Sequence, residues 1–521
     1  MRYRLGIDIG GTNTDAAILD ENNQVVAKGK TPVTADVITG IKQIVGQVLA
    51  QAQLNPQDIT HAMLGTTQVT NAIIERKGLA RVGILRLGAP ATKAVPPLIG
   101  WPQDLRNCVE GPSAILPGGV QYDGRPITPF DPDAVRRMVE EARDQVQGLA
   151  ITSVFSAVRN DDELAAAAIV SELVPAGTPI SLSHEIGSLG FLERENATIL
   201  NASVAPVAHR VTQAFRGALE QLGIHAQFFL SQNDGTLMSL EYALQYPILT
   251  IACGPTNSIR GAAFLSGLSD AIVIDIGGTS TDVGVLISGF PRESAAAVEI
   301  GGVRTNFRMP DLVSIGLGGG SIIRTDESAN GKTVRIGPDS VGYAVVTEAL
   351  CFGGQTLTMT DVTVARGMAQ LGNSAAIATP QAILDEAFRL SVAMTEEAVD
   401  RMKTSASEVP VIAVGGGSIL LPDTLAGVSK VYKPEHYEVA NAIGAAIAQV
   451  SGTVDHVYTM GNRTREDVLQ EAREAAFNEA IRAGADPDSL EIIEIEEVPL
   501  AYLPGNAVRI RVKAAGRLKS Y

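Results

Sequence analysis

Apolar residues alternate through YRLGIDI, residues 3–9, stop at a glycine pair, and alternate again through TDAAILD, residues 14–20. That period of two predicts a strand, a tight polar loop and a second strand, and the turn residues DENNQ lead into a third strand. In DVITGIKQIVGQVLAQAQ, residues 36–53, the apolar spacing lengthens to three and four, the stripe of an amphipathic helix. ITHAMLGTT (59–67) reads as a buried strand delivering a polar loop, QVTNAIIERKG (68–78) as a helix and RVGILRLG (81–88) as another strand. Residues 89–130 are rich in Pro and Gly and predict an insertion with little regular structure. Helix, strand, helix and strand follow over 131–187, and a long helical tract over 193–223 joins the two halves.

The second half repeats this grammar. AIVIDIGGTSTDVGVLISGFP (271–291) has the strand, glycine pair and strand of the N-terminus, VPVIAVGGGSILLP (409–422) is a strand ending in a glycine loop, and YEVANAIGAAIAQVSG (437–452) is helical. A charged helix (464–485) and two strand-like runs (490–504 and 506–516) close the chain.

From Asp8 and from Asp275 the chain reads D-I-G-G-T-x-T-D-x-x-x-L. Apolar residues before each Asp place it at the end of a buried strand. Two glycines permit a turn with no Cβ between the backbone amides and a ligand, and the Thr and Ser hydroxyls add donors. Such a turn is an anion-binding nest with a carboxylate placed to hold a metal through water. One copy alone is equally a β-hairpin with a Gly-Gly turn. Two copies with strand-like flanks predict two loops gripping one polyphosphate from opposite sides. A Rossmann loop is excluded, because a helix would have to follow the glycines and DAAILDENNQVV continues as strands.

Composition narrows the partners. The chain has 521 residues, enough for two or three domains, with 45% hydrophobic and 19% charged residues, as in a packed soluble enzyme. A formal charge of −16 argues against nucleic acid or an anionic membrane as partner. The three cysteines, Cys108, Cys253 and Cys351, form no CxxC pair, and the six histidines show no metal-site spacing, which fits a reducing cytoplasmic setting. Neither a signal-like N-terminus nor an apolar run of membrane-spanning length is present.

The duplicated loops, each inside a strand–turn–strand, resemble the two phosphate loops of the actin-like ATPase superfamily. In order, GTTQVTNAIIERKG, SHEIGSLGFLERENATILNASVAP, CGPTNSIRGAA, DIGGTSTDVGVLISG and IGLGGGS are similar to segments of the hydantoinase A / 5-oxoprolinase family, over residues 6 to about 452. The resemblance implies an α/β protein of two actin-like (ribonuclease-H-like) lobes, about 1–185 (including the 89–130 insertion) and 186–458, with ATP and Mg²⁺ between them. A small α+β appendix over 459–521 follows. It implies an ATP-dependent hydrolase subunit that phosphorylates the carbonyl oxygen of a small cyclic amide (a hydantoin, 5-oxoproline or a lactam). A second hydrolase subunit would complete the ring opening, in a cytoplasmic oligomer. A small-molecule kinase and a subunit of ketone-carboxylase type are the alternatives, and a nucleotide-gated regulator would need a larger binding domain than the appendix.

Carried onto this chain, the resemblance makes Asp8 and Asp275 the Mg²⁺ anchors and, with Thr12 and Thr279, the catalytic set. Gly10, Gly11, Asn13, Thr14, Gly277, Gly278, Ser280 and Thr281 would cradle the phosphates, and Gly415, Gly416 and Gly417 would form the adenosine loop. Gly318, Gly319 and Gly320 are either a further adenosine-side loop or a tight turn forced by packing. Asp15 and Asp282 either face the ligand or brace their own loops. Gly65, Thr66, Thr67 and Asn71 would place the ring substrate, although either Thr equally reads as a helix N-cap. The family's usual His before Gly-Thr-Thr is Leu64 here. Cys253 reads as buried packing or, if activated, as a reactive thiol. Glu193, Arg194 and Glu195 are either lobe-bridging ion pairs or a solvated face.

Overall fold

The computed structural model describes residues 2–519 apart from 35, 295–297, 329–330, 502 and 504. The alternating N-terminal pattern becomes the antiparallel hairpin Tyr3–Ile9/Asn13–Leu19, extended by Val25–Pro32, with Asp8 opposite Asp15 and Ile9 opposite Thr14. On the other side of Tyr3–Ile9 lies Ile59–Thr66, parallel to it, with Asp8 in register with Gly65. The second half builds the same unit. Ala271–Ile276 and Thr281–Ile287 pair with Asp275 opposite Asp282 and Ile276 opposite Thr281, and Val409–Val414 runs parallel beside them.

Each unit seeds its own sheet. The first, of nine strands, runs in space as Glu491–Pro499, Val508–Gly516, Val450–Tyr458, Leu237–Ser239, Gln227–Ser231, Ile59–Thr66, Tyr3–Ile9, Asn13–Leu19 and Val25–Pro32. The second has six strands around Ala271–Ile276. A third sheet of four parallel strands centres on Val82–Ala89 and Gly148–Ser153, and the 31-residue helix Phe191–Gln221 packs against Gly148–Ser153 on one side and against the helix Val37–Ala52 on the other. Residues 194–205 of that helix are buried all round, polar residues included: Glu195 pairs with Arg86 (Nε–Oε1 2.7 Å), and Arg194 donates to Ser183 Oγ and to the Ser188 and Ser153 carbonyls. The Glu193–Glu195 run is therefore no solvated face at its last two positions.

The topology differs from the sequence expectation in three places. The C-terminal strands do not form a separate appendix: Val508–Gly516 pairs with Val450–Tyr458, and both belong to the first sheet. Gln227–Ser231, beyond the expected boundary at 186, also joins that sheet beside Ile59–Thr66. The Pro- and Gly-rich stretch is partly regular, because Gln103–Val109 is helical and Glu110–Pro117 is an edge strand, where prolines are tolerated.

Two helices lie between the repeated units, Cys253–Ser266 and Ala440–Ile447. They cross at backbone contact: a Cβ on Gly261 would lie 1.9 Å from the Ala440 carbonyl oxygen, and one on Gly444 would lie 1.9 Å from that of Asn257. Among the described residues no helix is long and apolar enough to cross a membrane.

Candidate active site

The two glycine hairpins face one another. Thr12 Oγ1 lies 3.4 Å from Thr279 Oγ1, and a Cβ on Gly278 would sit 3.0 Å from Thr12 Cγ2. Within each turn one amide closes the loop, Gly10 N onto Asn13 O (3.0 Å) and Gly277 N onto Ser280 O (2.9 Å). The amides of Gly11, Thr12, Gly278 and Thr279 make no hydrogen bond among the described residues. Two exposed-to-half-buried pairs of N–H groups without a partner among the described residues thus lie on turns that touch, an arrangement suited to an anionic chain.

Beneath each turn sits its carboxylate, and a glycine of the neighbouring parallel strand makes room for it. A Cβ on Gly65 would fall 2.2 Å from Asp8 Oδ1, and one on Gly415 would fall 2.2 Å from Asp275 Oδ1. The two crossing helices supply the other contacts. Asn257 Nδ2 donates to Asp8 Oδ1 (3.3 Å), Ser258 Oγ donates to Asp275 Oδ2 (2.5 Å), and Asn441 Nδ2 donates to both Asp8 Oδ2 (3.0 Å) and Asp15 Oδ2 (2.8 Å). Asp15 also pairs with Lys30 at 2.6 Å, and Asp282 accepts from Ser314 Oγ, so these two acids brace their hairpins.

Burial raises the Asp8 carboxyl to about 7, with Asp15 and Asp275 adding repulsion against the amide hydrogen bonds. Burial likewise raises Asp275 to about 6; the Ser258 hydrogen bond opposes the rise and the Asp282 charge adds to it. Two carboxyls that repel one another fit a divalent cation. Among the described residues no cluster of three acidic, His or Cys ligands exists, so a cation held here would need most of its ligands from water and a bound anion. The sign of the pH effect follows. Folded Asp8 holds its proton up to about pH 7, whereas the unfolded chain releases it near 4. Cation-free protein is therefore expected to lose stability as pH rises from about 4 and to level off above about 7, by an amount on the order of 4 kcal/mol. Thermal unfolding of parent and Asp8→Asn in chelator between pH 5 and 8 checks this, and the variant should show the shallower slope.

The remaining expected residues divide. Asn13 and Ser280 close the turns through their carbonyls. Thr14 and Thr281 are buried, and the Thr281 hydroxyl donates to Leu317 O (2.5 Å), so that hydroxyl is already committed. The amides of Gly318, Gly319 and Gly320 are all taken, by Ser321 Oγ, Gly277 O and Gly278 O. The run is a brace against the second hairpin, and its packing allows no Cβ at Gly318, which would lie 2.7 Å from the Gly278 backbone. Gly415–Gly417 follow Val409–Val414 directly beside Asp275, and a Cβ on Gly416 would meet nothing within 4 Å. Thr66 Oγ1 accepts from Gln68 N (3.2 Å), and Thr67 contacts Ile9 O (3.5 Å) and Asn71 Nδ2 (3.4 Å), beside the first hairpin. Leu64 is fully buried. Cys253 lies under this loop, buried and hydrogen-bonded to Thr66, and burial pushes its thiol up to about 12, the setting of a packing residue rather than of an activated thiol. Asn257, Ser258, Asn441 and Lys30 were not expected from the sequence. The first two lie in the CGPTNSIRGA run already singled out, whereas the other two carry no signal beyond their polarity.

Two similar α/β units with facing glycine hairpins define an actin-like protein. Two profiles of one family match this chain, the hydantoinase/oxoprolinase N-terminal region over residues 4–174 and hydantoinase/oxoprolinase over 194–371. The chain belongs to the hydantoinase/oxoprolinase family. It is 26% identical to the caprolactamase subunit alpha of Pseudomonas jessenii over 481 residues, covering 85% of this chain and 66% of that protein. It is also 26% identical to the acetone carboxylase beta subunit of Xanthobacter autotrophicus, covering 68% of this chain and 53% of that one, so it spans about half to two thirds of these relatives' length. In fold it is similar to the crystal structure of the ATP-dependent caprolactamase from Pseudomonas jessenii (TM-score 0.75, 21% identity, 99% of this chain and 88% of that chain). Nucleotide-free acetone carboxylase is a second such likeness (TM-score 0.68, 18% identity, 99% and 88%).

Proposed function

We propose that this chain is the ATP-dependent subunit of a cyclic-amide hydrolase, transferring the γ-phosphoryl group of ATP to the carbonyl oxygen of a small ring amide such as a lactam, hydantoin or 5-oxoproline. The observation that carries this reading is the facing pair of hairpins, with Thr12 and Thr279 in contact and a carboxylate beneath each. The caprolactamase likeness supports the substrate class.

An amide is a poor electrophile because its nitrogen donates into the carbonyl, and phosphorylating the oxygen makes that oxygen a leaving group. Such a transfer needs positioning and charge stabilisation rather than a covalent protein nucleophile. The uncommitted amides of Gly11, Thr12, Gly278 and Thr279, with both Thr hydroxyls, would hold the β- and γ-phosphates. Asp8 and Asp275 would hold Mg²⁺ through water, and that ion, when bound, neutralises the phosphate charge. Gly415–Gly417 would approach the adenosine, and Thr67 and Asn71 would orient the ring beside the first hairpin. A second subunit would deliver water to the phosphorylated ring, in a cytoplasmic assembly; the three cysteines are unpaired, as a reducing compartment requires.

The test is ATP turnover with a panel of 5-oxoproline, hydantoin and lactams. Turnover stimulated by a ring amide, with one ADP for each ring consumed, is expected. Stimulation by a ketone with bicarbonate and by no ring amide would move the chain to the carboxylase-type reading that the acetone carboxylase likeness favours. A stable phosphorylated hydroxyl product would make it a kinase.

A further inference from the structure

The two units repeat one another around their acids and differ there in one charge. In the first unit, residues in register across four strands form a row of Gly65, Asp8, Asp15 and Lys30. In the second the matching row is Val414, Asp275, Asp282 and Ser314. Residues directly opposite one another on antiparallel strands project from the same face of a sheet, so Asp8, Asp15 and Lys30 share a face. The outermost residue of each row serves the outer acid. Lys30 Nζ lies 2.6 Å from Asp15 Oδ1, and Ser314 Oγ donates to Asp282 Oδ1. Burial raises the carboxyls of both acids. In the second unit a hydroxyl suffices to brace such an acid. Asp15 already has a neutral brace of its own, since Asn441 Nδ2 donates to its Oδ2 (2.8 Å). An ammonium is more than bracing asks.

Lys30 is placed to meet something else. Its strand, Val25–Pro32, runs on to Val33, whose N–H donates to the Thr12 carbonyl (3.0 Å), so the lysine stands three residues from a contact with the first glycine turn. Its charge is felt in the other unit, where it favours the ionised form of Asp275. The side chain is 31% exposed, against 4% for Asp15, which leaves the ammonium open to a ligand. Lys28, two residues back in the same strand, is held by Glu438 (2.5 Å). The glycine turns offer a phosphate chain amides and hydroxyls but no whole positive charge, and Asp8, Asp15 and Asp275 repel it. Lys30 supplies the missing charge.

We propose that Lys30 is a catalytic residue of the phosphoryl transfer, its ammonium leaving Asp15 for the γ-phosphate of ATP. The inference rests on the function proposed above. In that transfer the bond from the γ-phosphorus to the β–γ bridging oxygen breaks with its electron pair staying on ADP, and the bond from phosphorus to the amide oxygen forms. Lys30 gives up no proton. It donates hydrogen bonds to the γ-phosphate oxygens, where a charged donor counts for more than a neutral one.

Comparing Asp15→Asn with the double variant Lys30→Gln/Asp15→Asn separates this role from that of a partner for Asp15, because the acid is absent from both. In calorimetric titration of the full chain with Mg²⁺, the double variant should bind a non-hydrolysable ATP analogue about tenfold more weakly than Asp15→Asn does, and ADP within about twofold. ATP turnover stimulated by a ring amide should fall about 100-fold between the same two proteins. Lys30→Arg in the same background keeps the charge and should recover about tenfold of that loss. A lysine that only shapes the hairpin would weaken both nucleotides alike. If Asp15→Asn does not fold, the same selective loss in Lys30→Gln against the parent decides the matter. The proposal is overturned if analogue and ADP weaken together, if neither affinity nor turnover separates the compared proteins, or if Lys30→Arg is no better than Lys30→Gln. These results overturn it alone, whereas a parent that binds no ATP analogue would overturn the function proposed above as well.

Discussion

Replacing Asp275 by Asn is expected to lower ATP turnover by about 100-fold or more, the usual cost of removing one group that stabilises developing charge. The fold should survive. The new carboxamide keeps an oxygen for the Ser258 hydroxyl, and the substitution removes a carboxylate whose buried charge is already disfavoured, its pKa standing at about 6. At a pH of about 7.5, above that pKa, the unfolding transition should therefore stay where it is or rise, while activity collapses. A residue of purely structural importance would lose both together. Turnover within about twofold of the parent, or a destabilised variant, would remove Asp275 from the role given to it. Asp8→Asn is the less clean partner, because Asp8 accepts amide donors on both oxygens and the new NH₂ group must face one of them.

The second large effect is structural. Gly261→Ala would drive a methyl group to 1.9 Å from the Ala440 carbonyl oxygen and 2.6 Å from its carbon, so two helix backbones must part. Neither neighbour is a flexible side chain, and a cost of about 3 kcal/mol or more is expected. The loss reaches the active site, since the same helix carries Asn257 to Asp8 and Ser258 to Asp275. Gly217→Ala is the control: it also lies in a helix, a Cβ there meets nothing within 4 Å, and it should stabilise by up to about 1 kcal/mol through helix propensity. Denaturant unfolding of the two variants side by side decides the matter. Equal stability would mean that the crossing is looser than described.

Much of this was legible in the sequence because it is local. The period-two runs and the glycine pairs specify both hairpins, and Asp8 with Gly65 and Asp275 with Gly415 take matching positions in the two units. What could not be read is long-range. Val508–Gly516 pairs with Val450–Tyr458 and so joins a sheet that starts at Tyr3, and no local pattern records which sheet a strand enters. Asn441 reads as one polar position in an apolar helix, yet it joins Asp8 to Asp15. The run GLGGGS offered glycines but not their purpose: only the three-dimensional structure shows that its amides are spent on the second hairpin.

The central claim is that the two hairpins close on one triphosphate. A crystal structure of the full chain with a non-hydrolysable ATP analogue and Mg²⁺ tests it most directly. Phosphate oxygens are predicted on the amides of Gly11 and Thr12 from one side and of Gly278 and Thr279 from the other, with the metal above Asp8 and Asp275. A nucleotide bound at any other place, with these four amides left without phosphate, would contradict it.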